Sequence, residues 1–140
     1  MIRLIVFLGN KGPQYARTRH NSAWLFLEHL LHEYPVGQWQ VKFHGEVAQA
    51  SPRWIGKAAS APTEPSRLLI LKPHTYMNES GKSIMALARY QTIKTSDILV
   101  VHDDLELPFG TTQLQSGGGL GGHNGLRSLV QHAGTSDFHR

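Results

Sequence analysis

Three short aliphatic runs, each closed by polar residues, constrain this chain more than any other feature. They are Arg3 to Leu8, closed by Gly9-Asn10; Leu68 to Leu71, closed by Lys72-Pro73-His74; and Ile98 to Val101, closed by His102-Asp103-Asp104. Runs this short, without a wet alternate face, suit strands covered on both sides. Between them, Ala23 to Tyr34 places Ala23, Phe26, Leu27, Leu30 and Leu31 at helical spacing before Pro35-Val36-Gly37. Glu79 to Tyr90 carries Ile84, Leu87 and Ala88 on one face, and Gly125 to Ala133 reads as a last helix. Buried strands alternating with amphipathic helices predict an α/β layer fold with a largely parallel sheet, in a single domain over 1–140. A chain of 140 residues can bury roughly two-thirds of its unfolded surface, enough for a real core.

The remaining segments read less sharply. Trp39 to Ala48 alternates, with Trp39, Val41, Phe43 and Gly45 opposed by Gln40, Lys42 and His44, which suggests one edge strand with a wet face. Ser51 to Ser66 is rich in Ala, Pro and Ser, with room for a short strand near Trp54-Ile55. Thr111 to Gln115 alternates as a strand, and Gly117 to Gly122 is a glycine loop before the last helix. The chain has no cysteine, which excludes a disulfide scaffold, a thiolate zinc site and a cysteine nucleophile. No apolar run reaches the length of a membrane span. Met1 runs directly into a strand-like segment without signal-peptide anatomy, so the cytoplasm is the expected compartment. A formal charge of +4 permits a polyanionic partner without demanding one, but Lys11, Arg17 and Arg19 crowd beside His20 with no acid among them.

In open α/β sheets ligands bind beyond the carboxyl ends of the strands. If the three aliphatic strands are parallel, their polar clusters share one rim, joined by His20 from the first loop, Asn78 from the third and Asn124 from the glycine loop. One imidazole, one or two carboxylates and three carboxamides suit attack of water on a carbonyl. Histidine titrates near neutrality and can take the proton, a carboxylate can fix its tautomer, and carboxamides can donate to an oxyanion. Each of Asn10, Asn78 and Asn124 also sits where asparagine serves as a cap or turn residue, and His102 fits a satisfied buried histidine. Gly117-Gly118-Gly119-Leu120-Gly121-Gly122 matches GxGxxG, yet no second strand follows, so a dinucleotide fold is rejected in favour of a loop that lets backbone approach a ligand. Neither a P-loop nor GxSxG is present. His29 and His32 do not form HExxH, and His20 with Asp103 and Asp104 is a weak hard-metal set without a second motif.

Four motifs carry a family resemblance. They are Leu8-Gly9-Asn10-Lys11-Gly12-Pro13 with Tyr15 and Thr18-Arg19-His20-Asn21; Lys72-Pro73-His74-Thr75-Tyr76-Met77-Asn78 with Ser80-Gly81; Val101-His102-Asp103-Asp104-Leu105 with Leu107-Pro108 and Gly110; and Gly117-Gly118-Gly119 with Gly121-Gly122-His123-Asn124-Gly125-Leu126. In this order, over nearly the whole chain, they resemble the bacterial peptidyl-tRNA hydrolases. The resemblance implies a mixed, mostly parallel twisted sheet flanked by helices, usually in a monomer without an obligate protein partner. It implies hydrolysis of the ester between peptide and tRNA, without metal or cofactor, on the acceptor end of peptidyl-tRNA. Position by position, it makes His20 the activator of water and Asp103 its orienting acid. It makes Asn10 and Asn78 holders of the ester and tRNA end, Asn124 a placer of substrate or water, and Tyr15 and Met77 cleft lining.

The sequence departs from the family pattern at several points. Phe7 and Lys11 replace a glycine and a proline of the first loop, and Gln113 and Gln115 stand where basic residues usually precede the glycine loop. Neutral glutamine cannot make the charge-assisted phosphate contact of lysine. Beyond Phe138-His139-Arg140 the family continues into a further strand and C-terminal helices, which this sequence is expected to lack. The alternatives are therefore a non-catalytic RNA-binding relative of the same fold, akin to those that assist plant organelle intron splicing, or an inactive shortened product. Intact His20 and Asp103 point to the enzyme.

Overall fold

Side chains alternate along β1 (Leu4–Phe7). Leu4, Val6 and, one step beyond the strand, Leu8 enter a core on one face, whereas Ile5 and Phe7 join a second core on the other. That two-sided burial explains why the run has no polar alternate. β1 lies between β4 (Leu69–Pro73) and β5 (Ile98–Val101) and is parallel to both, with Leu4 opposite Leu69 on one side and Ile98 on the other. The structure, a computed structural model, describes residues 1–55 and 67–140. Its sheet runs β2-β3-β4-β1-β5. α1 (Ser22–Leu31) covers the face of Phe7 and Ile70, and α2 (Ser80–Tyr90) and α3 (Asn124–Ala133) cover that of Leu4, Val6 and Leu71. The expected mixed α/β sheet forms, although two of its four strand pairings are parallel and two antiparallel. Among the described residues no helix is long and apolar enough to cross a membrane.

The segment read as one edge strand folds back on itself. β2 (Gln40–Lys42) and β3 (Gly45–Gln49) form an antiparallel hairpin, with β3 antiparallel to β4, so of the two β2 alone lies at an edge of the sheet. The two turn residues, Phe43 and His44, have φ of 56° and 57°. A two-residue turn with both φ positive matches strand twist but normally calls for Asn-Gly, so the sequence hides it. Its stability comes from outside the hairpin. Ser83 Oγ donates to the Phe43 carbonyl at 2.6 Å, and the His74 backbone N–H donates to that of His44 at 2.9 Å.

Three other expectations need correction. Pro52–Ile55 is a 3₁₀ turn rather than a strand, closed by the Trp54 N–H on the Ser51 carbonyl at 3.1 Å; residues 56–66 of that stretch lie outside the described residues. Thr111 to Gln115 forms no strand. Only its end pairs: Gln115 and Arg140 exchange backbone hydrogen bonds at 2.7 and 2.8 Å, while His139 exchanges two with Ile98 and Val100 of β5. Phe26, placed on the buried stripe of α1, is half exposed because it falls at the margin of the Ala23–Leu27 line that meets the sheet.

α2 and α3 meet at a glycine. Gly81 lies so close to α3 that a Cβ there would collide with the Ser128 carbonyl, and its N–H donates to Ser128 Oγ at 2.9 Å. Both residues are buried. The obstruction is backbone, which cannot swing aside. Gly81→Ala is therefore expected to destabilise the protein by about 2–3 kcal/mol despite its better helix propensity, and Ser128→Ala by about 1–2 kcal/mol through an orphaned N–H. Urea unfolding checks both, and a neutral or stabilised Gly81→Ala would refute the packing argument.

Candidate active site

Because β1, β4 and β5 are parallel, their carboxyl ends open on one rim, as the sequence suggested. The chain leaving β1 is held there by a buried carboxamide. Asn21, in the 3₁₀ turn Arg19–Asn21 that precedes α1, donates from Nδ2 to the Asn10 carbonyl at 2.9 Å and accepts the Asn10 N–H at 2.7 Å. The Asn10 side chain then accepts the Met77 N–H at 2.6 Å through Oδ1, tying the β1 loop to the β4 loop. A backbone N–H can only donate, so this bond settles which atom of the carboxamide is oxygen. Nδ2 is left as a donor with no partner among the described residues.

The same turn carries His20 toward β5. Its Nδ1–H donates to Asp103 Oδ1 at 2.9 Å, and His123 Nε2–H donates to that same oxygen, also at 2.9 Å. The Asp103 side chain is 6% exposed, that of His123 7%, and that of His20 43%, so a buried pair supports a ring that reaches solvent. Burial pushes the Asp103 carboxyl up, but the hydrogen bonds from His123 and His20 outweigh it and hold the group down to about 2. His102 turns its Nδ1–H onto the Asp103 carbonyl at 2.6 Å, and burial lowers its pKa against the opposing pull of that bond. It is the satisfied histidine that its position suggested.

His20, Asp103 and His123 bring three ligand atoms within 4.8 Å of one another, close enough to test against a metal ion. The donor set fits poorly. His123 Nδ1 accepts the N–H groups of Gly125 and Leu126 at 3.0 and 3.4 Å, so the ring's proton sits on Nε2, the atom a metal would need. Asp104, the other acid considered for a metal, is exposed and accepts the Glu106 N–H at 2.9 Å instead.

Of the other expected site residues, Met77 is buried at the rim, and the first turn of α3 presses against it. A Cβ on Gly125 would lie 2.7 Å from Met77 Sδ and 2.8 Å from Leu8 Cδ1. Tyr15 is half-buried in the Pro13–Tyr15 turn, Asn78 is exposed in the Met77–Glu79 turn, and Asn124 is exposed as the first residue of α3. Among the described residues no side-chain hydrogen bond joins these three to the His20–Asp103 pair. His123, and not Asn124, caps this helix. His123 and Asn21 stand within the resembling motifs, but the sequence assigned them no role. Each is adjacent to a residue that was singled out, but neither type nor spacing revealed that it faces inward.

Comparison with known proteins now decides the family. The family model described as peptidyl-tRNA hydrolase matches residues 4–140. The chain belongs to the peptidyl-tRNA hydrolase family. It is 47% identical over 140 residues to a peptidyl-tRNA hydrolase of Coxiella burnetii, covering 99% of this chain and 67% of that protein. With that of Treponema pallidum it shares 48% over 139 residues, covering 99% and 64%. The crystal structure of peptidyl-tRNA hydrolase from Acinetobacter baumannii superposes with a TM-score of 0.81 at 39% identity, covering 99% of this chain and 65% of that one. The chain thus spans about two thirds of the length of these relatives.

The charge on Asp103 sets a pH dependence. Its folded value of about 2 lies below the ~3.9 of an unfolded aspartate, so the group contributes stability above about pH 4 that is lost as pH falls toward 2. Urea unfolding in that window is expected to show on the order of 2 kcal/mol of acid-dependent loss that Asp103→Asn lacks. Parallel curves for the two proteins would refute it.

Proposed function

We propose that the chain hydrolyses the ester linking peptide to tRNA in peptidyl-tRNA, with His20 as the general base. The observation that carries this reading is the His20–Asp103 pair. A carboxylate accepts only, so Nδ1 holds the ring proton and Nε2 presents a bare lone pair at a half-exposed position on the rim. Water adds to the ester carbonyl carbon as its proton passes to Nε2. Collapse of the tetrahedral species expels the ribose oxygen, which takes that proton back, releasing a peptide carboxyl group and a tRNA hydroxyl. Asp103, kept ionised by its two N–H donors, stabilises the imidazolium between the two transfers.

Asn10 Nδ2, aimed by the Met77 N–H bond, donates to the substrate carbonyl or its oxyanion. Asn78 and Asn124, both exposed at the rim, contact the acceptor end and the water, and Tyr15 and Met77 line the cleft. The relatives supporting this reading are themselves named peptidyl-tRNA hydrolases, which leaves the non-catalytic alternative unfavoured. In this reading the chain acts on the acceptor end of peptidyl-tRNA in the cytoplasm, as a monomer, with neither metal nor an obligate protein partner.

Purified chain incubated with peptidyl-tRNA is expected to release free peptide. His20→Ala should lower the rate by about 10³-fold while tRNA retention in a filter assay is unchanged. A wild-type chain without turnover, or a His20→Ala variant with wild-type turnover, would overturn the assignment.

A further inference from the structure

His123 is buried and makes three hydrogen bonds that run from a helix end to Asp103. It is the N-cap of α3, with extended backbone (φ −72°, ψ 120°), and its Nδ1 accepts the Gly125 and Leu126 N–H groups that the helix leaves without intrahelical partners. A nitrogen that accepts two backbone N–H groups carries no proton. The neutral ring therefore exists as one tautomer, with the proton on Nε2, where it donates to Asp103 Oδ1. The rings add a second constraint: His123 packs edge-to-face against His20 with centroids 5.3 Å apart, and against His102 at 4.9 Å.

We propose that His123 is a positioning residue for the reaction. The first turn of α3 selects its tautomer, the tautomer pins one oxygen of Asp103, and that oxygen holds the proton of His20 on Nδ1 and leaves Nε2 bare. Without the His123 bond the carboxylate is free to rotate about its χ2, and the His20 ring loses the fixed acceptor that orients it. The proposal rests on the hydrolase reading for its kinetic consequence, while the tautomer chain stands on hydrogen-bond geometry alone.

Two substitutions separate the cap from the relay. Asparagine at position 123 keeps an acceptor for the Gly125 N–H but stops short of Asp103; glutamine reaches Asp103 with an amide N–H but gives up the cap. His123→Asn keeps the cap but takes one donor from the buried carboxylate, so it is expected to unfold below the wild-type temperature and to lose about 10–100-fold in kcat with KM within about twofold. His123→Gln should be less stable and recover most of that kcat. Two-bond ¹H–¹⁵N correlation of the histidine rings should show His123 protonated at Nε2 and His20 at Nδ1 in the wild type, and a mixed tautomer of His20 in His123→Asn. A His123→Asn variant with kcat within twofold of wild type overturns the proposal, as does a His123 ring protonated at Nδ1. If the wild-type chain shows no hydrolysis at all, the hydrolase reading falls, and the ring spectra decide the positioning chain independently.

Discussion

A single carboxylate oxygen, Oδ1 of Asp103, organises the rim. It receives an N–H from His20 and another from His123, and through these two bonds it joins elements that are distant in sequence. Burying an ionised carboxylate is costly unless its lone pairs are filled by donors. Here the two imidazoles fill both lone pairs of Oδ1, and the acid is held down to about 2, ionised at neutral pH. The arrangement orients by subtraction: each bond leaves its ring one remaining nitrogen, and that nitrogen's state is then determined.

The sheet makes this meeting possible. Three parallel strands with both faces covered deliver their ends to one edge, and the loops that leave them are held by side chain to backbone bonds as well as by Leu8 and Met77 in the core. Asn21 grips the backbone of Asn10, and Asn10 grips that of Met77. The close approach of α3 to Met77 and Leu8, which glycine at position 125 permits without displacing their side chains, brings the helix end and its cap within reach of the acid that follows β5. Packing, then, sets the distance, and hydrogen bonds set the angle.

Much of this was legible in the sequence, and the boundary between what was and what was not has physical causes. The aliphatic runs of β1, β4 and β5 announced themselves because two-sided burial removes polar residues, and their polar ends located the rim. His20 and Asp103 were found because imidazole and carboxylate are scarce and chemically marked. The β2–β3 hairpin was hidden because Phe43 and His44 occupy a backbone region that glycine and asparagine usually fill. Thr111 to Gln115 alternates as a strand would, but only its last residue finds a pairing partner, in Arg140. His123 is one of nine histidines in the sequence, and only the fold engages both of its nitrogens.

The turn at Phe43-His44 has a thermodynamic consequence. Each non-glycine residue in the left-handed region costs roughly 1–2 kcal/mol, against which the hairpin itself sets only three cross-strand pairs. Its anchors belong to the N-terminal half of α2 and to the residue after β4, so the hairpin is conditional on the rest of the fold being in place. Amide exchange in the edge strand β2 would then outpace that in β1, making this hairpin a region where the native state opens locally.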